Sequence, residues 1–264
     1  ADRTGCVIRQ LSVPTDAGSI DEVVDMFTAA LSPKTRVVSF THISNVTGFR
    51  LPAREICAAI HAVNSDIHIH TDGAQTWGVA AIDLAETGCD SFSGSAHKWY
   101  MGPREVGLLV VRSERQDSIW PGVVSIPWGN EAEPSVVGAR RFEALGQRDD
   151  AAIAALAETV SFHAEMTPAG VEQRAAAIAD RLRDSLSDID VPFVSSRNPL
   201  FTSNVIILSA AADNRGRLLE NVLRDGGIIL AGVNGLRLSP HIYNTPEHVD
   251  RVTRAVHQSR ALLG

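Results

Sequence analysis

Three short apolar runs, Arg36 to Phe40, Ile67 to Thr71 and Cys89 to Ser93, constrain this chain more than any other feature, because helical segments separate them. Pro52 opens a helix that runs to about Val63, between the first two runs. Strand, helix, strand at ordinary loop lengths is a βαβ unit, and that unit commits the chain to a mainly parallel sheet in an α/β fold. Around it the spacing predicts a strand over Gly5 to Val13. A capping box, Ser19-Ile20-Asp21-Glu22, precedes an amphipathic helix carrying Val23, Val24, Phe27 and Leu31. Val106 to Val111 reads as one more apolar strand, and Trp120 to Pro134 as a Pro- and Gly-rich loop that reaches the site or a partner subunit. An Ala-rich helix covers Asp149 to Glu165, Pro168-Ala169-Gly170 breaks it, and the domain boundary is placed there: a large domain over 1–167 and a small one over 168–264. The small domain reads as α+β: helix Val171 to Leu186, strand Asn204 to Leu208, helix Arg215 to Arg224, strands near Ile228 and Leu236, and a helix from Pro246.

Composition narrows the function classes. With 264 residues, 44% of them hydrophobic, the chain can bury a substantial core. Its net charge of −7, with basic residues scattered, lacks the footprint of a nucleic-acid binder. Cys6, Cys57 and Cys89 lie far apart without CxxC spacing, which argues against a disulfide framework or a zinc site and fits a reducing compartment. No apolar run reaches the roughly 18 residues of a membrane span and no signal-peptide pattern opens the sequence. A cytoplasmic location is the default expectation.

The chemistry concentrates in two stretches. Ile67-His68-Ile69-His70-Thr71-Asp72-Gly73-Ala74-Gln75 alternates apolar and polar residues and delivers Asp72 where the strand meets a Gly-containing turn. An acid at a strand's carboxyl end faces the crevice where open α/β sheets bind ligands. Ser93-Gly94-Ser95-Ala96-His97-Lys98-Trp99 then brings Lys98 twenty-six positions later, about one crossover and one strand onward. A lysine and a carboxylate at one rim suit pyridoxal 5'-phosphate, which takes an amine for its aldehyde and an acid for its pyridinium nitrogen. Most lysines are surface residues and most Asp-Gly pairs are turns, so the pairing, not either residue, carries the reading. His68, His70 and Asp72 on one strand face also form a His-x-His-x-Asp pattern that a metal-dependent hydrolase uses. That alternative leaves Lys98 and Gln75 unexplained.

Asp72-x-x-Gln75 followed by Ser95-x-His97-Lys98 resembles the class V aminotransferase family, whose members have the type I fold of pyridoxal-phosphate enzymes. The resemblance extends upstream through His42-Ile43-Ser44-Asn45-Val46-Thr47-Gly48 and downstream through Arg237-Leu238-Ser239-Pro240-His241-Ile242-Tyr243-Asn244, so it covers most of the chain. It implies Lys98 as the Schiff-base lysine and proton shuttle, Asp72 on the pyridinium nitrogen, and Gln75 on the cofactor's phenolic oxygen. It further implies Ser95 and His97 on the phosphate, Asn45 facing cofactor and substrate, and Arg237 as the clamp on an amino-acid carboxylate. Gln147 stands where relatives carry a Gly-Thr threonine that reaches the neighbouring subunit's phosphate, and it keeps the capacity to donate. The implied unit is a homodimer with shared sites.

Relatives are longer at the amino end. Their phosphate-binding turn and stacking ring have no counterpart before Asp72, which leads to the expectation that the sequence is a fragment; a non-catalytic protein of the same fold is the further alternative that this leaves open. Gly226 to Leu236 carries no cysteine, which argues against persulfide transfer. The wording of Ser95 to Glu105 and Ser239 to Thr245 looks most like the isopenicillin N epimerase-like branch, whose reactions include epimerisation, transamination and lyase chemistry on an amino acid or amino-acid-containing small molecule.

Overall fold

A computed structural model describes residues 4–125, 128, 134, 136–143, 146–210, 214–232 and 234–263. The βαβ expectation is met by β1 (Val37–Thr41), α2 (Ala53–Val63) and β2 (His68–Asp72), with α1 (Ile20–Ala29) before them. The short helix α3 (Leu84–Thr87) leads to β3 (Ser91–Ser95), and β4 (Gly107–Val111) completes a four-stranded sheet in the order β1-β2-β3-β4. The first three strands are parallel and β4 returns antiparallel along the edge.

Period-two alternation decides what each sheet face meets. Val38, Phe40, Ile69 and Phe92 point to one side, where α1 and α2 bury them with Val23, Phe27, Ile56 and Ile60. The opposite face carries Val37, Ser39, His68, His70, Ser91 and Ser93, and Val37 is 60% exposed there. Ser19 caps α1 by accepting from the Glu22 amide, while the Glu22 carboxylate accepts from Gly18 rather than from the cap itself. The strand expected over Gly5 to Val13 does not form: among the described residues this stretch has no ladder partner, and Val7 is 94% exposed.

Helix α4 (Asp150–Met166) ends at Thr167, and α5 (Pro168–Ser187) starts at once with Pro168 in its first turn. The helix break expected over Pro168 to Gly170 therefore sits at Thr167, which adopts φ 59° and caps α5 through its hydroxyl to the Gly170 amide. A proline at the first helical position loses no intrahelical bond, which is why it opens this helix. Beyond it, β5 (Ile206–Leu208), α6 (Asn214–Asp225), β6 (Ala231–Gly232), β7 (Leu236–Leu238) and α7 (Pro246–Gln258) build a second sheet in the order β5-β7-β6, antiparallel throughout. Its core joins Ile178 and Leu182 of α5 to Ile206, Leu219, Leu236 and Val256. A third apolar cluster, Ile43, Val79, Trp99, Ala175, Val205 and Ile207, joins the two sheets' surroundings. Glu172 of α5 reinforces that junction, accepting from Arg50 at 2.8 Å and from the Ala81 amide at 3.0 Å.

Candidate functional site

Parallel pairing sets the geometry at the rim. Asp72, the last residue of β2, lies in register with Ser93 of β3 and Thr41 of β1. The Gly73 amide donates to the Ser93 carbonyl at 2.7 Å, and the His42 amide to the Asp72 carbonyl at 2.9 Å, so the ladder holds the backbone on both sides of the acid. The half-buried carboxylate accepts from the Thr41 hydroxyl at 3.2 Å and the Ala74 amide at 2.8 Å. Gly73 is the close-approach point: a Cβ there would lie 1.9 Å from the Phe92 ring.

Strand β3 stops at Ser95, and residues 96–100 turn. Alternation therefore does not continue through His97, and the strand period does not put the Ser95 and His97 side chains on one side. His97 and Lys98 are exposed, Ser95 half-buried and Ala96 buried. Lys98 Nζ thus stands in the open at the carboxyl end of β3, on the rim that holds Asp72, while its backbone is tied down. The Ala96 amide donates to Val106 O at 3.0 Å, Met101 to Lys98 O at 3.1 Å, and Gly102 to Ala96 O at 2.7 Å.

Gln75 is buried, in the turn that the Thr76 and Trp77 amides close onto the Gly73 carbonyl. Its Oε1 accepts from the Trp99 indole N–H at 2.8 Å, which leaves its amide NH2 as the remaining donor. Two ring stacks flank the lysine turn. Trp77, Tyr100 and His163 stack with centroid separations of 4.1 Å at each step, and Trp99, His241 and Tyr243 stack at 5.4 and 4.8 Å. Gly94 makes room for Trp77, whose ring would be 2.6 Å from an added Cβ. Sequence reasoning assigned nothing to Trp77, Tyr100 and His163; the one signal was the density of aromatic and small residues around Lys98.

From the second sheet, Arg237 on β7 reaches the turn after β1, donating to the Asn45 carbonyl at 3.4 Å. Asn45 is itself exposed, beside Arg237 and one strand from Asp72. Gln147 is exposed, in the segment before α4. Part of the Trp120 to Pro134 loop lies outside the described residues.

The strand histidines have a different account from metal binding. His70 Nδ1 contacts Ser91 Oγ at 2.8 Å and its Nε2 contacts Ser93 Oγ at 3.2 Å, while His68 Nε2 shares Ser91 Oγ at 2.8 Å. With both ring nitrogens of His70 engaged, none faces a metal, and among the described residues no group of three or more His, Cys, Asp or Glu is placed to hold one. Burial lowers both imidazoles from their ordinary range, against the pull of Asp90 on His68 and of Asp72 on His70. His42, at the end of β1, is lowered to about 4 by burial and by the Arg50 guanidinium, so it is neutral and meets the Thr76 hydroxyl at 3.1 Å through Nδ1.

Comparison with known proteins bears on the same elements. The family model for aminotransferase class-V matches residues 1–252. The chain is 29% identical to an isopenicillin N epimerase of Streptomyces clavuligerus, over 97% of this chain and 68% of that protein. It is 26% identical to a probable cysteine desulfurase of Vibrio cholerae, over 100% of this chain and 67% of that protein. Among solved structures, a mutant of C-DES with glycine covalently linked to its PLP cofactor superposes with a TM-score of 0.82 at 22% identity, covering 95% of this chain and 66% of that one. The chain thus spans about two thirds of the length of the relatives it matches, and its fold is the type I fold. From the match over nearly its whole length, the chain belongs to the class-V aminotransferase family.

Proposed function

We propose that this chain forms a pyridoxal-phosphate enzyme acting on an amino acid or an amino-acid-containing small molecule, with chemistry of the epimerase, aminotransferase or lyase type. The observation that carries the reading is the parallel β2–β3 pair, which presents Asp72 and the Lys98 turn at one rim. The donor set fits the cofactor: an exposed amine for its aldehyde, a braced carboxylate for its ring nitrogen, and a hydroxyl and an imidazole, Ser95 and His97, for its phosphate. When bound, pyridoxal phosphate supplies an electron sink for the charge left at the substrate Cα.

The chain's own residues have distinct tasks in this reading. Lys98 would hold the cofactor's aldehyde, and its Nζ would be the group that moves the proton at the substrate Cα. Asp72 would pair with the ring nitrogen and favour its protonated form, and the Thr41 and Ala74 donors fix where the carboxylate charge sits. Gln75, turned by its bond to Trp99, gives its NH2 to the phenolic oxygen. Arg237 takes the substrate carboxylate, its planar fork matching two oxygens, with Asn45 beside it. Gln147 donates to a phosphate across the interface of a homodimer with shared sites. The large domain, 1–167, carries the cofactor, and the small one, 168–264, the carboxylate clamp. Without a cysteine between Gly226 and Leu236, persulfide transfer is not among the proposed reactions.

The test uses protein expressed from its full reading frame. After incubation with pyridoxal phosphate and reduction with borohydride, the pyridoxyl group is located by peptide mass. The expected label is on Lys98 and is lost in Lys98→Ala. Folded protein that takes no label at Lys98 refutes the reading.

A further inference from the structure

Among the described residues, the Trp99 and Tyr100 carbonyls, immediately after Lys98, accept no backbone N–H. Each instead accepts from an imidazole carried by an element outside the four-stranded sheet: His241 Nε2 lies 2.8 Å from Trp99 O, and His163 Nε2 lies 3.0 Å from Tyr100 O. A carbonyl only accepts, so both Nε2 atoms carry the hydrogen. His241 confirms this tautomer internally, because its Nδ1 accepts the Ile242 amide at 2.8 Å. Each ring also stacks on the residue whose carbonyl it holds, His163 on Tyr100 at an interplanar angle of 4° and His241 on Trp99 at 19°. Both imidazoles are buried, whereas Lys98 between these anchors and Ser95 is exposed.

We propose that His163 and His241 are positioning residues for Lys98: they grip the backbone of the lysine turn by donor and by ring, so that its amine swings from a fixed base. The inference rests on the role proposed for Lys98, and its consequence is that the small-domain segment bearing Arg237 is tied to the lysine. Arg237 and His241 are four residues apart, the first in the middle of β7, the last of the described strands, and the second on the Trp99 carbonyl. A carboxylate on Arg237 and the amine of Lys98 are thereby held in one frame.

The experiment separates ring from donor. His163→Phe and His241→Phe keep the stack and lose the N–H; His163→Gln and His241→Gln keep an N–H near the Nε2 position and lose the ring. Amide exchange of the peptide spanning residues 96–102 is measured without cofactor, and the rate and half-saturating concentration of borohydride-trapped pyridoxal phosphate at Lys98 are measured with it. The Phe variants should speed exchange in that peptide about tenfold or more, the equivalent of one hydrogen bond. They should also slow trapping at saturation by a similar factor and leave half-saturation within about twofold, since Ser95 and His97 are untouched. The Gln variants should recover most of both losses. Phe variants that match the parent in exchange and trapping overturn the proposal, and so do Gln variants as impaired as the Phe pair. If the parent itself takes no label at Lys98, the cofactor reading fails on its own, and the exchange data still decide whether the two imidazoles hold the turn.

Discussion

Replacing Gly73 with alanine tests the packing beneath the site with a single methyl group. The added Cβ would lie 1.9, 2.2 and 2.8 Å from Phe92 Cζ, Cε2 and Cε1, where carbon atoms at rest keep about 3.5–4.0 Å. The ring or the turn must give by roughly 1.5 Å. Phe92 is 1% exposed and lies in register with both Thr71 and Val110, and Gly73 is tied to Ser93 through its amide, so neither moves cheaply. Gly73 has no positive φ, and the penalty is therefore steric overpacking alone, at the upper end of the usual range, about 3 kcal/mol. For a chain of this size that lowers the melting temperature by about 6–12 °C. Urea unfolding followed by tryptophan fluorescence reads it as a lower midpoint at unchanged slope. Gly122→Ala, with no atom within 4 Å of its added Cβ, is the matched control and should stay within about 0.5 kcal/mol of the parent. Combining Gly73→Ala with Phe92→Leu should cost at least about 1 kcal/mol less than the two singles together, because the shorter side chain vacates the contested space. A Gly73→Ala midpoint equal to the parent's, or strict additivity in the double variant, refutes the reasoning.

Two further outcomes follow from buried titratable groups. His42 has a folded pKa lowered to about 4 against an ordinary 6.5, so the unfolded chain takes up its proton first as pH falls. Its neutral state contributes stability that is full above about pH 6.5 and is lost progressively toward pH 4, up to about 3 kcal/mol. Urea midpoints measured across that window should fall, and less steeply in His42→Gln; parallel curves would show that another group carries the acid sensitivity. Burial pushes the Cys57 thiol up to about 12 and raises Cys89, while Cys6 is exposed, so a disulfide-exchange reagent at neutral pH should titrate one thiol quickly in the native protein and all three in urea. Three fast thiols in the native state would contradict the buried placement.

The βαβ order, the parallel pairing and Asp72 at a strand's end were legible because hydrophobic period and punctuation report local structure directly. Gly5 to Val13 shows the limit: it reads as a strand, but a strand needs a neighbouring ladder, and none of the described residues pairs with it. Pro168 shows another, since a proline both ends helices and opens them, and only the φ 59° at Thr167 places the break before it. At the site, residue types and strand ends indicated that Asp72 and the Lys98 turn lie at one rim. What holds them was not legible: the Trp99–Gln75 bond spans 24 positions and the His241–Trp99 bond 142, and no local pattern encodes either.

The two sheets impose different schedules on a chain leaving the ribosome. In the first, spatial order repeats chain order, so each strand emerges beside the one just made and assembly can proceed as synthesis does. In the second, β7 is the last strand to emerge and takes the central place between β5 and β6. Until Leu236 to Leu238 have been made, β5 and β6 have no ladder to join, and Arg237 arrives on that same strand. The segment proposed to clamp a substrate carboxylate is thus also the one that completes the second sheet, and a nascent chain stalled before it would carry the lysine and acid of the rim beside an unfinished small sheet.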